Sequence, residues 1–275
     1  MNVNDFLKKK KENNKITVVT AYNYPMAKMA DDAGIDAVLV GDSLGMVMLG
    51  YDNTIPVTME DMIIHCKAVS RGLKNSMLIC DMPFMSFQIS IEEALRNAGR
   101  LMQEAGAHAV KLEGGVEVAD IVKRMVDIGI PVMGHIGMTP QSVHKFGGFK
   151  AQGKTVDQAK KLIEDAKALQ DAGAFSVVLE VVPGELAEII SKELYIPTIG
   201  IGAGNKCDGQ VQVMTDLLGM TAGFVPKHSK KFADIYSVAV EGIKSYISSV
   251  QDGSFPEETS CPHLKDETLN EIMKG

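Results

Sequence analysis

Three stretches of the chain end in nearly the same words: DDAGIDAVLV at residues 31–40, QEAGAHAVKL at 103–112 and QDAGAFSVVL at 170–179. In each, a polar helical pattern stops at a glycine (Gly34, Gly106, Gly173) and a β-branched or aliphatic run follows. A glycine there suits the left-handed backbone at a helix C-terminus. One helix-to-strand unit is being reused. Outward from these echoes, apolar runs at 17–20, 37–40, 77–80, 109–112, 131–134, 175–179 and 198–201 read as strands, with a weaker eighth near 222–225. Thr58 before Asp61, Ser90 before Glu93 and Thr155 before Gln158 mark the starts of intervening helices. About eight alternating units without a compositional break predict an α/β fold, a closed (β/α)8 TIM barrel. The alternation alone also fits an open doubly wound sheet.

Composition narrows the ligand. The 275 residues carry a net charge of −7 and no basic stripe, which disfavours nucleic acid as a partner. Cys66, Cys80, Cys207 and Cys261 form no C-x-x-C pair, an arrangement that suits the reducing cytoplasm better than a disulfide framework. The N-terminal MNVNDFLKKKKENNK has a basic run with no apolar core behind it, and no run reaches the ~18 apolar residues of a membrane span. Residues 1–250 read as one catalytic barrel and 251–275 as a polar C-terminal tail. The Gly/Lys-rich segment 137–154 reads as an active-site loop and a candidate lid.

In a parallel barrel all strands point their C-terminal ends at one face, where residues just past each strand converge. Acids stand at four such positions: Asp42, Asp81, Glu113 and Glu180. Several carboxylates in a partly dry site repel one another and persist best around a cation. Oxygen-only ligands select a hard ion, so Asp42, Asp81 and Glu113 are candidate Mg²⁺ ligands. The competing reading is that such acids merely cap the following helices.

Lys111 lies two residues before Glu113, so both side chains share a strand face. It suits binding of a substrate carboxylate; an ion pair with Glu113 or a Schiff base are the alternatives. His135 ends the fifth strand and is placed to hydrogen-bond substrate, whereas His65 and His108 read as structural. Glu180, followed by Val181, Val182 and Pro183, sits in an apolar setting that raises proton affinity and suits a general base; otherwise it orients Lys111 or His135. The glycines of GIGAGN at 200–205 admit either a phosphate or a neighbouring loop. The 17 Met residues are scattered and read as core filler.

Longer motifs carry a resemblance. VTAYNYPMAKMADDAGIDAVLVGDSLGMVMLGYDNTIPVT, DMPF, VKLEGG, GHIGMTPQSV, FGGFKAQG and IGIGAGNKCDGQVQVMTDLLGM are similar to the ketopantoate hydroxymethyltransferase family across roughly residues 1–256. The resemblance implies a barrel of the phosphoenolpyruvate/pyruvate type assembled as a homodecamer, a pentamer of dimers. It implies one-carbon transfer from 5,10-methylenetetrahydrofolate to 3-methyl-2-oxobutanoate, giving 2-dehydropantoate by Mg²⁺-stabilised enolate chemistry in pantothenate and coenzyme A biosynthesis. Carried over, Asp42, Asp81 and Glu113 hold Mg²⁺, substrate contacts fall on Asp42, Ser43, Asp81 and Lys111 with His135 near, and Glu180 is the proton acceptor. FPEETSCPHLKDETLNEIMKG runs past the family's usual ending, and His228 stands where an apolar or aromatic residue is expected. A Mg²⁺-dependent lyase or mutase of the same superfamily and a non-catalytic, metabolite-binding barrel are the competing readings. Folate dependence separates the first, turnover the second.

Overall fold

The computed structural model describes residues 1–148, 150–222 and 226–275. Eight parallel strands close a barrel in chain order: β1 Ile16–Thr20, β2 Ala37–Val40, β3 Met77–Asp81, β4 Ala109–Glu113, β5 Val132–Gly137, β6 Ser176–Glu180, β7 Thr198–Ile201 and β8 Gly209–Gln212. The first seven stand where the apolar runs place them, β5 running further than expected. The eighth does not: β8 is the short GQVQ segment, paired with both β1 and β7. Of the run expected at 222–225, residues 223–225 lie outside the described residues and Ala222 is in a bend.

The helix signals hold. The Thr58, Ser90 and Thr155 side chains accept from the backbone N–H groups of Asp61, Glu93 and Gln158, opening the helices Met59–Ser70, Ile91–Gln103 and Val156–Asp171. Gly34, Gly106 and Gly173 have φ of 79°, 77° and 94°.

Alternation along the strands sorts the core into two layers. Val38, Val40, Leu78, Val110 and Leu112 pack outward against helices. Val18, Leu39, Ile79, Met133 and Val178 fill the interior. The helix Val3–Lys11 contributes the fully buried Phe6 to that interior, where its ring meets Phe175 edge-on with centroids 5.3 Å apart. Such a burial contributes about 1.5–3 kcal/mol. Following the interior positions toward the strand C-termini, the apolar series turns charged. Ile79 gives way to Asp81, Ala109 to Lys111 and Glu113, Met133 to His135, and Val178 to Glu180.

The helix Ile235–Gln251 has no buried residue. Its Tyr236, Ile243, Tyr246, Ile247 and Val250 recur at helical spacing, all exposed. Beyond it lie the one-turn Glu258–Ser260 and the short helix Asp266–Ile272, also without buried residues. Among the described residues no helix is long and apolar enough to cross a membrane.

Candidate active site

Strand register decides which charged groups meet. Asp81 is level with Lys111 across β3 and β4, Glu113 with His135 across β4 and β5, and Gly137 with Glu180 across β5 and β6. Lys111 Nζ therefore lies 2.9 Å from Asp81 Oδ1 and donates to His135 Nδ1 at 3.1 Å. The ion pair considered for Lys111 and Glu113 is replaced by this one. Residues two apart on a strand are separated by about 6.6 Å along it, register partners by about 4.8 Å. His135 Nδ1 is 3.6 Å from Glu113 Oε1, and its Nε2 is 3.1 Å from Glu180 Oε2. Asp81 Oδ2 accepts the Asp42 N–H at 3.2 Å, drawing the loop after β2 into the cluster. Asp42, Asp81, Lys111, Glu113 and His135 are buried; Glu180 is partly exposed.

None of the four acids caps a helix. The turns that follow them start at Ser43, Gly115 and Pro183 without a side-chain cap, Asp81 is followed by a helix capped by Ser90, and the Val116 N–H is taken by Asp165 at 2.9 Å. Gly137 fixes the approach of the two strands that carry His135 and Glu180. At φ 98°, a Cβ there would stand 2.3 Å from the Glu180 carbonyl oxygen, so only glycine fits. The next residue after Glu180 is Val181, a β-branched residue held at φ 50°, a strained conformation beside the candidate base.

Burial raises Asp42 to about 7, reinforced by the Asp81 charge, and pushes Glu113 well above the carboxylate range with Asp42 as the next cause. Burial also raises Glu180 to about 7. Burial would lower Lys111, but Asp81, Glu113 and Asp42 outweigh it and hold the ammonium above its ordinary range. His135 is pushed well below its usual value by burial and then by Lys111, which keeps it neutral. Fully ionised, four carboxylates against one ammonium leave three uncompensated negative charges, a site that attracts a cation.

The donor set fits a hard divalent ion. Asp81 Oδ1 touches Lys111 off the hydrogen-bonding line and has no hydrogen-bond partner, which leaves an acceptor oxygen free for a cation. Among the described residues, no three His, Cys, Asp or Glu ligands close around a common point. Mg²⁺ asks for less than such a cage, since it takes one or two carboxylates and keeps water and substrate oxygens.

Gln141 explains how the acids are held, and sequence reading passed it over. Its Nε2 donates to Asp42 Oδ2 and to the Met82 carbonyl, both at 2.9 Å, while its backbone N–H donates to Glu113 Oε2 at 3.0 Å. The segment after β5 is thereby tied to two candidate metal ligands. Gln141→Ala leaves Asp42 Oδ2 and the Met82 carbonyl without this donor. It should lower the unfolding free energy by about 1–3 kcal/mol in a denaturant titration, and an unchanged midpoint would show that the bonds carry no net stability. Tyr22 was likewise unforeseen: wholly buried after β1, its hydroxyl pairs with Ser43 Oγ at 2.8 Å and holds that substrate candidate in place. His65 and His108 are structural as expected, His65 Nδ1 lying 2.6 Å from the Tyr22 carbonyl and His108 Nδ1 accepting the Leu78 N–H. In the GIGAGN run, a Cβ on Gly204 would stand 3.2 Å from Gly184 Cα, which favours the close-approach reading.

The family model described as ketopantoate hydroxymethyltransferase matches residues 1–258. A 3-methyl-2-oxobutanoate hydroxymethyltransferase of Dehalococcoides mccartyi is 58% identical over 269 residues, 98% of this chain and 96% of the relative. One of the same name from Clostridium novyi is 54% identical over 270 residues, 98% of each chain. Those lengths take in much of the segment after residue 258, so the tail is shared with these relatives rather than peculiar to this chain. Among solved structures, a phosphonopyruvate hydrolase in complex with oxalate and Mg²⁺ aligns with a TM-score of 0.59 at 13% identity, covering 100% of this chain and 97% of that one. A 2,3-dimethylmalate lyase of the PEP mutase/isocitrate lyase superfamily aligns at 0.55 and 14% identity over 99% of both. These two speak to the barrel alone. From the length and identity of the curated matches, the chain belongs to the ketopantoate hydroxymethyltransferase family and is a transferase.

Proposed function

We propose that the enzyme transfers a one-carbon unit from 5,10-methylenetetrahydrofolate to 3-methyl-2-oxobutanoate, forming 2-dehydropantoate and tetrahydrofolate for pantothenate and coenzyme A biosynthesis in the cytoplasm. The observation that carries the reading is the gathering of Asp42, Asp81, Glu113 and Glu180 at the strand C-termini around a single ammonium, Lys111, with Glu180 beside His135 at the edge of the cluster and raised by burial to about 7. Asp42, Asp81 and Glu113 would hold Mg²⁺, which supplies Lewis-acid stabilisation of the charge developing on the 2-oxo oxygen. Lys111 and Ser43, with His135 close by, position the acid; the neutral imidazole presents a donor without adding charge. Glu180 takes the C3 proton, and C3 then forms the bond to the methylene carbon. That carbon gives up two C–N bonds and gains one C–C and one C–O bond, so one water enters as reactant and other water is kept from the electrophile by the segment 137–154. The exposed apolar stripe on Ile235–Gln251 supports a homo-oligomer, for which we propose the family's decamer.

Proton NMR of 3-methyl-2-oxobutanoate in D₂O tests the first step. Loss of the C3 proton signal with Mg²⁺ but not with EDTA, followed by tetrahydrofolate-linked conversion, is the expected result; no exchange and no turnover would refute the reading. The rate should rise with pH through about 7 and level off above it. A base works only when ionised, and Glu180 stays protonated below its raised value. A profile already flat from pH 5 upward would show that Glu180 is not held at this raised value in the working enzyme.

A further inference from the structure

Beside the acid cluster, a cleft of about 720 Å³ runs between the segments after β3, β4 and β5 and the first half of the helix Val156–Asp171. Glu113 and Gln141 line it, so it is continuous with the candidate metal site. A five-carbon acid leaves most of this space unfilled; the volume is that of sites for ligands several times larger, about 300–1,000 Å³. Phe84, Phe87 and Phe146 give it aromatic surface, and Lys145 stands at its exposed part. Lys161 also lines the cleft but is already paired with Asp165 at 2.7 Å. Among the described residues Lys145 makes no ion pair.

We infer that this cleft is the subsite for the arylglutamate half of the one-carbon donor, with Phe84 and Phe146 against the aminobenzoyl ring and Lys145 drawing the glutamyl carboxylates. The inference rests on the donor proposed above. Its chemistry matches in sequence along the ligand: a reactive carbon that must reach the acid cluster, a flat aryl group that prefers aromatic walls, and a terminal pair of carboxylates that needs a cation. The cleft also carries Glu117 and Asp157, whose charges repel an anion, so the one unpaired lysine decides where the carboxylates settle.

The test compares binding of tetrahydrofolate and of 6-methyltetrahydropterin, which lacks the arylglutamate, by equilibrium dialysis against the intact protein. Lys145→Glu should weaken tetrahydrofolate binding about tenfold and leave the pterin's unchanged. Phe146→Ala should act in the same selective way, and because Lys145 is exposed its variant keeps the fold, checked by its melting temperature. If wild type binds tetrahydrofolate and both variants bind it equally well, the subsite is elsewhere. If both ligands weaken together, the arylglutamate assignment falls. If wild type exchanges the C3 proton yet binds no tetrahydrofolate, the donor itself is wrong, and the inference goes with it.

Discussion

Glu180→Gln is expected to slow C3-proton exchange by about 10²–10⁴-fold, the range for loss of a positioned general base. The amide keeps the shape of the side chain and its place near His135 Nε2, 3.1 Å away in the parent, but has no basic oxygen. Binding of 3-methyl-2-oxobutanoate in the presence of Mg²⁺, followed by calorimetry, should stay within a few-fold of the parent, because Glu180 is outside the proposed metal set. The alternative base in reach is His135. Burial and Lys111 push it well below its ordinary range, leaving it a poor proton acceptor. Exchange at the parent rate in Glu180→Gln would nevertheless transfer the role to that imidazole.

Asp42→Ala or Glu113→Ala should reduce Mg²⁺-dependent turnover by about 10³-fold or more, since the stabilisation lost is several kcal/mol at the developing oxyanion. A companion measurement separates ligand loss from misfolding. Asp42→Asn keeps the volume and removes one of four crowded charges, so in EDTA it should melt higher than the parent, by about 2–4 °C for each kcal/mol of repulsion relieved. Added Mg²⁺ should raise the melting point of the parent and do little for the variant. An equal rise in both would mean that Asp42 is no ligand.

The strands and helix boundaries were readable because their signals are local: apolar runs of strand length, a Thr or Ser three residues before an Asp, Glu or Gln, and the glycines Gly34, Gly106 and Gly173 after three of the helices. β8 carries no such signal. Gly209, Gln210, Val211 and Gln212 make a poor strand on their own, and barrel closure selects them: a Cβ on Gly209 would stand 2.5 Å from the Ile16 carbonyl oxygen across the seam. The same division holds at the site. Acids at strand ends advertise themselves because the topology gathers those positions. Gln141 and Tyr22 are ordinary loop residues whose contacts lie 99 and 21 positions away, with Asp42 and Ser43. Lys111 was placed on the right face, yet its partner depended on register, which a single strand does not reveal.

The uncovered apolar stripe on Ile235–Gln251 has a consequence for how this enzyme's stability is measured. If that face is covered only by another copy of the chain, part of the folding free energy is supplied by association and follows mass action. The melting temperature would then rise with protein concentration, and a dilute sample would lose structure from this helix first. Stability would belong to the assembly at a stated concentration rather than to the single chain.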